Sequence, residues 1–419
     1  MSAGLVSNIA NFYVVELLKV ITPLITLPII LSKISLSDYG VLSVYVAIAS
    51  IFCIIIDGNL NYTFVNRCLE IRKGQSVFPT VWRRTFLLRG SIFITSLVAG
   101  LILSIINPNF DTLVLCFFIF CTGLELFIPV WYFQFLNDLR LLSFCTIISK
   151  SILLVGVIFF LDEENVFLLY PMMLGLGHAF AAIVLSYVAS VRSVYGLMRE
   201  QDGIQRSTVK ESNGRSDFWL FLSKVLAGIY TNLPLFLLQH HGYQSIAGAY
   251  SVAVRVTSPV KTLSVPVVQG LYPYLSSMFV AGSRASFRSD LPRRLQLLTC
   301  VGSALLAFVI YVFSGTIVEI FRLGDSSQLV PMIQMMCLIP PIIVIGNVYG
   351  FQNLAAMRRT RIIALASFCA LLTAGVFSVL LDIEAPSFAR DLILYTELTF
   401  TLFSLLAIWS MSPTKASES

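Results

Sequence analysis

Charged residues are scarce in this chain of 419 amino acids. Asp, Glu, Lys and Arg make up 12% of the sequence, whereas hydrophobic residues make up 57%. Soluble globular domains are about 25% charged, so this composition excludes an ordinary set of soluble domains. The mean hydropathy of +0.86 indicates that lipid is the main solvent of the chain. A membrane span takes about 20 apolar residues, and the length therefore accommodates roughly 12 spans with little left for a soluble catalytic domain.

Motifs for metal binding, redox chemistry and nucleotide hydrolysis are also missing. The eight cysteines form no C-x-x-C pair, so we expect no metal site and no disulfide framework. No G-x-x-x-x-G-K-[ST] occurs, which argues against ATP hydrolysis by this chain. The first apolar run contains Glu16 and Lys19, and we interpret it as a permanent first span instead of a cleavable signal peptide.

Hydropathy read in windows of about 19 residues predicts an all-α, polytopic integral membrane protein with twelve transmembrane helices. The predicted spans are 10–31, 39–60, 86–106, 112–135, 141–161, 166–190, 218–238, 247–269, 295–314, 329–352, 362–381 and 391–411. The connections that follow the odd-numbered spans are short, and the longest of them covers about residues 315–328. A membrane polymerase or glycosyltransferase would need catalytic groups on a larger outer loop, so an enzyme is disfavoured.

The basic residues are divided unequally between the two sides of this topology. Of the 28 Lys and Arg residues, Lys33, Arg322 and Arg390 are the cations in the connections after odd-numbered spans. Twenty are on the other side, in its connections, in the C-terminal tail and, for Arg89, at the start of the third span. By the positive-inside rule both termini are cytoplasmic. Because the cations are distributed over several loops without one basic face, the formal net charge of +6 does not indicate a nucleic-acid partner.

A weak internal repeat divides the chain into two halves. Lys19, Pro28 and Gly40 in the first two spans recur as Lys224, Pro234 and Gly248 in spans seven and eight. We therefore predict two parallel six-helix lobes, residues 1–208 and 209–419. Proline at matching depths interrupts the first helix of each half, which favours a translocation site formed by broken helices.

Ionisable residues inside the spans are the candidate functional residues. A charge at mid-bilayer costs at least about 3 kcal/mol, so such groups should face water or one another. Arg255 and Lys261 have no acidic residue in their own helix, and we expect them to bind a transient anion. The candidate substrate-binding cations are Lys19, Lys150, Lys224, Arg255 and Lys261, and the candidate ion-coupling acids are Glu16, Asp57 and Glu125.

Some of these assignments stay open at the level of the sequence. Lys150 and Lys224 are close enough to the cytoplasmic ends of their helices for snorkelling to the headgroups, which is as good an explanation as substrate binding. Glu125 is either a protonatable coupling residue or a structural partner of Lys150. His178 is interpreted as a packed core histidine in preference to a proton relay.

Several short motifs are distributed over nearly the whole chain. They are Glu125 with Pro129, Trp131, Phe133 and Gln134 followed by Lys150; Asp57-Gly58-Asn59; Asn232-Leu-Pro234 with Gly248-Ala-Tyr250-Ser251; and Leu271-Tyr272-Pro273 with Ser276. In these motifs and in its twelve-span plan the chain resembles the O-antigen (Wzx-type) flippases of the multidrug/oligosaccharidyl-lipid/polysaccharide exporter superfamily.

The resemblance implies two six-helix lobes around a cationic central cavity with alternating access. It implies transfer of an undecaprenyl-pyrophosphate-linked oligosaccharide from the cytoplasmic to the periplasmic leaflet of a bacterial inner membrane. It implies no cofactor apart from a coupling ion, H⁺ or Na⁺, and suggests a polysaccharide polymerase and a chain-length regulator as partners. A drug/cation antiporter of the same superfamily and, less well, a membrane polysaccharide polymerase are the alternatives.

Overall fold

The computed structural model describes twelve ranges of the chain: residues 3–57, 77–106, 110–136, 140–194, 214–262, 264–265, 267–268, 271, 275, 290–323, 326–385 and 387–411. Helices account for the regular structure throughout these ranges, and no strand occurs in them. The predicted all-α class is therefore confirmed.

The chain divides into two compact units. Unit 1 comprises Met1–Ile34 and Tyr45–Asp217, and unit 2 comprises Ser35–Val44 and Phe218–Ser419. The second helix thus begins in unit 2 and continues in unit 1.

The helices of the first half are long and apolar. They are α1 (Ala3–Leu31), α2 (Leu36–Asp57), α3 (Val77–Ile106), α4 (Thr112–Gly123), a 3₁₀ turn (Leu124–Phe127), α5 (Val130–Leu136), α6 (Arg140–Phe160) and α7 (Val166–Val194). In unit 1, α7 packs against α6 and α4, and α1 packs against α6. Large apolar side chains such as Ile106 and Phe159, each 74% exposed, remain on the outside of these helices. Such exposure is expected where lipid is the solvent.

The second half contains more interrupted helices. They are α8 (Gly214–His240), α9 (Gln244–Thr262), α10 (Asp290–Val312), α11 (Ser314–Ile320), α12 (Ser326–Met336), α13 (Ile339–Ile345), a π segment (Gly346–Phe351), α14 (Gln352–Ala356), α15 (Thr360–Leu380) and α16 (Phe388–Met411). Gly346 and Gly350 of the π segment lie against α16. A Cβ atom on Gly346 would collide with the Thr401 side chain, and one on Gly350 with the Ser404 side chain. Small residues thus allow α16 to approach this irregular backbone closely.

Two glycines matched by the internal repeat meet in unit 2. A Cβ atom on Gly40 would collide with the backbone at Gln244 and Gly248, and a Cβ atom on Gly248 would collide with the Leu36 carbonyl. The N-terminal turns of α2 and α9 therefore cross at backbone contact, which glycine alone permits.

Ten stretches of the described residues are long and apolar enough to cross a membrane. They coincide with predicted spans two to seven and nine to twelve, with ends that differ by a few residues. The first predicted span corresponds to α1, whose described residues Leu17–Leu31 are apolar. The eighth corresponds to α9, whose Arg255, Lys261 and hydroxyl-bearing residues lower its hydropathy. The prediction of a polytopic membrane protein is confirmed.

Candidate functional site

Glu125 lies at a break in the fourth predicted span. Helix α4 ends at Gly123, the chain continues as the 3₁₀ turn, and Ile128 is extended with φ −68° and ψ 124°. Pro129 follows, and proline both disfavours a helical conformation in the residue before it and lacks a backbone donor. The local sequence therefore explains why Glu125 is carried on a turn instead of a continuous α-helix.

The partner of Glu125 on α7 is His178. Glu125 Oε2 lies 3.9 Å from His178 Nε2. The carboxylate side chain is 51% accessible, whereas the imidazole side chain is only 4% accessible. Glu125 is therefore open to water-sized molecules, whereas His178 is enclosed by protein.

Two of the predicted cations act on the same carboxylate. The charges of Lys150 on α6 and Lys19 on α1 both interact with Glu125. Unit 1 thus brings together three of the residues that the sequence singled out. The candidate acid Glu16 lies in the part of α1 whose side chains are outside the described structure.

Asp57, another predicted ion-coupling acid, is held in an ion pair at the C-terminal end of α2. Arg89 Nη2 on α3 lies 3.1 Å from Asp57 Oδ1, and the Arg89 side chain is 1% accessible. Arg89 Nη1 also donates to the backbone carbonyl of Leu126 in the 3₁₀ turn. The sequence assigned Arg89 to the cations that orient the chain in the membrane, but its side chain is buried and connects Asp57 to the turn that carries Glu125.

Unit 2 contains a cavity of about 240 Å³ with both polar and apolar lining residues. The lining residues of α9 recur at helical spacing and form one face of that helix. Residues of α8, α12, α13 and α16 complete the wall. The cavity is lined by Thr231, Asn232, Tyr250, Val254, Thr257, Ser258, Lys261, Met336, Ile339, Pro340 and Ile393.

The polar groups of this wall present acceptor oxygens. The hydroxyl groups of Thr231, Thr257 and Ser258 donate to carbonyls of their own helices at 2.7, 2.8 and 2.9 Å. Asn232 Nδ2 likewise donates to the Gly228 carbonyl at 2.8 Å. The oxygens of these groups retain acceptor capacity, while Lys261 supplies the positive charge. A ligand with hydroxyl groups and an anionic group matches this lining.

Lys261 has an acidic neighbour from another helix. Glu397 on α16 is 5% accessible, and its charge interacts with Lys261. Glu397 lies one helical turn beyond the cavity residue Ile393. The expectation that Lys261 has no acidic residue in its own helix holds for α9, but it did not consider this electrostatic interaction between helices. Glu397 is therefore a further candidate residue, which lies six residues inside the predicted span 391–411.

Arg255 and Lys224 occupy other surroundings in unit 2. The Arg255 guanidinium carbon lies 5.4 Å from the ring centroid of Tyr39, in a cation–π arrangement. Arg255 does not line the cavity described above. Lys224 is half-buried on α8. The five predicted cations therefore do not form one cluster within a unit: Lys19 and Lys150 act at Glu125, whereas Lys261 serves the cavity of unit 2.

The described residues contain no group of three or more His, Cys, Asp or Glu side chains that could hold a metal ion. The chemistry available in both units is instead that of ammonium groups, carboxylates, one imidazole and hydroxyl groups. Such groups bind anions, polar head groups and protons.

A family model and a relative from Escherichia coli both match most of the sequence. A family model described as "Polysaccharide biosynthesis protein" matches residues 5–279. A protein of Escherichia coli (strain K12) with the name "Putative O-antigen transporter" is 18% identical over 414 residues, which cover 96% of each chain.

Solved structures show the same fold at low sequence identity. An inward-facing multidrug resistance MATE family transporter of the MOP superfamily superposes with a TM-score of 0.62 at 13% identity, covering 95% of this chain and 96% of the other. The Vibrio cholerae MATE transporter VcmN in its bent form gives a TM-score of 0.57 at 13% identity, covering 98% of both chains.

Proposed function

The chain belongs to the polysaccharide biosynthesis protein family, and on that premise we propose that it is a flippase for a lipid-linked oligosaccharide. The proposed cargo is an undecaprenyl-pyrophosphate-linked repeat unit such as that of O-antigen. It moves from the cytoplasmic to the periplasmic leaflet of the inner membrane by alternating access. The name of the E. coli relative and the transporter fold of the solved structures support this proposal.

The physical task of such a flippase is to replace water around the cargo head group. Sugar hydroxyls and a pyrophosphate are costly to transfer into hydrocarbon without compensating hydrogen bonds and charges. A polar cavity in the protein supplies them, while the polyprenyl chain stays in the lipid. This task requires no covalent chemistry, so we propose a transporter and not an enzyme.

The observation that carries the proposal is the cavity of unit 2. It combines the Lys261 ammonium with acceptor oxygens of Thr231, Asn232 and Ser258. Lys261 would pair with the anionic group, and the oxygens would accept hydrogen bonds from sugar hydroxyls. A carrier for an uncharged lipid would not need an ammonium group at this depth.

The other intramembrane charges have proposed supporting roles. Lys19, Lys150, Lys224 and Arg255 would guide the anionic head group along its path. Glu16, Asp57 and Glu125 are the proposed carriers of the coupling ion, because a site that holds its cargo tightly needs an energy source for release. A polysaccharide polymerase and a chain-length regulator would then use the exported unit.

A drug/cation antiporter is the second candidate, and the buried Glu397 beside the cavity favours it. A carboxylate at this place could attract a cationic drug. The two candidates make opposite predictions for the two side chains: Lys261 is required for an anionic cargo, whereas Glu397 is required for a cationic one.

Transfer between leaflets in reconstituted vesicles tests the proposal. We expect purified protein to move the undecaprenyl-pyrophosphate-linked oligosaccharide across the bilayer, and Lys261→Ala to lower the initial rate about tenfold, as expected for loss of a charged hydrogen bond. Lys33→Ala is the matched control, since Lys33 is exposed and pairs with Asp162. Chain lengthening without leaflet transfer would instead indicate a polymerase. Export of cationic drugs that depends on Glu397 would indicate the antiporter.

A further inference from the structure

His178 is a buried side chain whose polar atoms are not fully satisfied by neighbouring groups. It is 3% accessible, and apart from the backbone of Cys121 its ring nitrogens have no hydrogen-bond partner among the described residues. The Cys121 carbonyl lies beside the ring. A buried imidazole with a single backbone neighbour loses most of the hydrogen bonding it has in water, so packing alone is a poor explanation for histidine at this position.

The position of the imidazole is tightly constrained by its flanking glycines. A Cβ atom on Gly175 would lie 2.9 Å from Cys121 Cβ on α4, and a Cβ atom on Gly177 would lie 2.5 Å from the Ser149 carbonyl oxygen on α6. Helix α7 is thus in backbone-level contact with α4 and α6 on either side of His178. The ring therefore stays opposite the 3₁₀ turn, with Glu125 Oε2 at 3.9 Å from its Nε2.

Glu125 provides the access that His178 lacks. Its side chain is 51% accessible and lies on a short turn instead of a rigid helix. A shortening of about 1 Å between Glu125 Oε2 and His178 Nε2 would produce a hydrogen bond. A proton can therefore pass from accessible space to the carboxylate and then to the enclosed imidazole.

The groups around the pair favour a proton over a metal cation. The ammonium groups that interact with Glu125 or His178 belong to Lys19 on α1 and Lys150 on α6; the neutral thiol of Cys53 on α2 also interacts with Glu125, and Cys121 of α4 lies beside the ring. Arg89 and Asp57 neutralise each other next to the turn. Two ammonium groups repel Na⁺, which also needs several oxygen ligands, whereas imidazole is a nitrogen base that titrates near neutral pH.

We propose that Glu125 and His178 form one proton-binding site and that the coupling ion of this transporter is therefore H⁺, not Na⁺. Uptake forms an O–H bond on Glu125 Oε2. Transfer breaks that bond and forms an N–H bond on His178 Nε2, which leaves a carboxylate beside an imidazolium; release is the reverse sequence. The inference rests on the proposed function, since coupling has meaning only if the chain transports a cargo.

Vesicle transport with imposed gradients tests the choice of ion. We expect a pH gradient, but not a sodium gradient, to accelerate leaflet transfer by the wild-type protein. His178→Gln and Glu125→Gln should each lower the ratio of the transfer rates with and without the pH gradient about fivefold or more. Acceleration by sodium alone, or full pH-gradient acceleration in His178→Gln, would overturn the inference. Absence of any transfer by the wild-type protein would instead count against the proposed function.

A spectroscopic experiment tests the pair without transport. The chain contains three histidines, and the other two, His240 and His241, are exposed. The control variant His240→Gln/His241→Gln leaves His178 as the single imidazole, whose protonation can be followed by NMR of ¹⁵N-labelled histidine. Adding Glu125→Gln should move the midpoint of the His178 titration by at least about half a pH unit. An unchanged midpoint would show that the two side chains do not share a proton.

Discussion

Arg89 and Asp57 form a buried ion pair that links two helices to the break beside Glu125. Arg89 Nη2 lies 3.1 Å from Asp57 Oδ1, and the accessible fractions of the two side chains are 1% and 24%. The second Arg89 nitrogen binds the Leu126 carbonyl. The guanidinium therefore satisfies a carbonyl that the 3₁₀ turn leaves without a helical partner.

Arg89→Met should destabilise the protein strongly. The substitution preserves most of the side-chain volume, but leaves Asp57 without its counter-charge and the Leu126 carbonyl without its donor. Removal of one member of a buried pair costs about 3–5 kcal/mol, and partial exposure of Asp57 reduces this to about 2–4 kcal/mol. Denaturant unfolding in detergent measures the loss.

An exposed ion pair, Lys33 with Asp162, serves as the comparison for the buried pair of Arg89 and Asp57. Lys33 and Asp162 are 3.5 Å apart, with side-chain accessibilities of 45% and 72%. Lys33→Met should change the free energy of unfolding by less than about 1 kcal/mol. A double-mutant cycle with Asp57→Asn isolates the coupling of Arg89 to Asp57, and additive effects would contradict a direct interaction between them.

Gly248→Ala should disrupt the crossing of α2 and α9. The added Cβ atom would collide with the Leu36 carbonyl, which is backbone and cannot rotate away. We expect a loss of about 2 kcal/mol or more in the free energy of unfolding, as for overpacking at a tight contact. Gly302→Ala in α10 is the control because a Cβ atom there meets nothing within 4 Å, and it should stabilise by up to about 1 kcal/mol. Equal effects of the two substitutions would exclude a tight crossing.

The helices were predictable because hydropathy is a property of consecutive residues. The spans near 141–161 and 362–381 were found almost at their observed bounds, Arg140–Phe160 and Thr360–Leu380. The break at Glu125 follows from Pro129, two residues beyond the 3₁₀ turn, although the sequence analysis placed Glu125 within a continuous span.

The neighbours of the charged side chains were not predictable in the same way. Reasoning from spacing identifies partners on one helix, so it missed Glu397 as the neighbour of Lys261 and Arg89 as the partner of Asp57. Glu397 lies only six residues from the start of the predicted span 391–411. The observed helix α16 begins at Phe388, nine residues before Glu397. Glu397 therefore lies about 14 Å from the start of this helix.

Asp111→Ala should weaken the start of α4. Asp111 Oδ1 accepts hydrogen bonds from the backbone nitrogens of Leu113 and Val114 at 2.8 and 3.1 Å. Loss of such an N-cap costs about 1 kcal/mol. Asp111→Asn keeps the acceptor and should retain most of the stability. The free energies of unfolding of the two variants give the test, and equal losses would show that the cap is not the cause.

Glu397→Gln should alter the kinetics of transport more than the stability of the fold. Glu397 interacts with Lys261, and under the proposed function it competes with the cargo anion for that positive charge. When Glu397 is neutral, the ammonium is left to the cargo, so binding should tighten and release should slow. In the vesicle assay we expect KM to fall about three- to tenfold and kcat to fall with it.

Two further variants separate this competition from a general effect of charge. Glu384→Gln removes an exposed carboxylate that accepts a hydrogen bond from Tyr243 at 2.9 Å, and it should leave both kinetic constants unchanged. Lys261→Ala combined with Glu397→Gln should behave as Lys261→Ala alone, because the carboxylate then has no ammonium to withhold from the cargo. If Glu397→Gln raised KM instead, the carboxylate would be attracting the cargo, and the anionic head group would be the wrong ligand for this cavity.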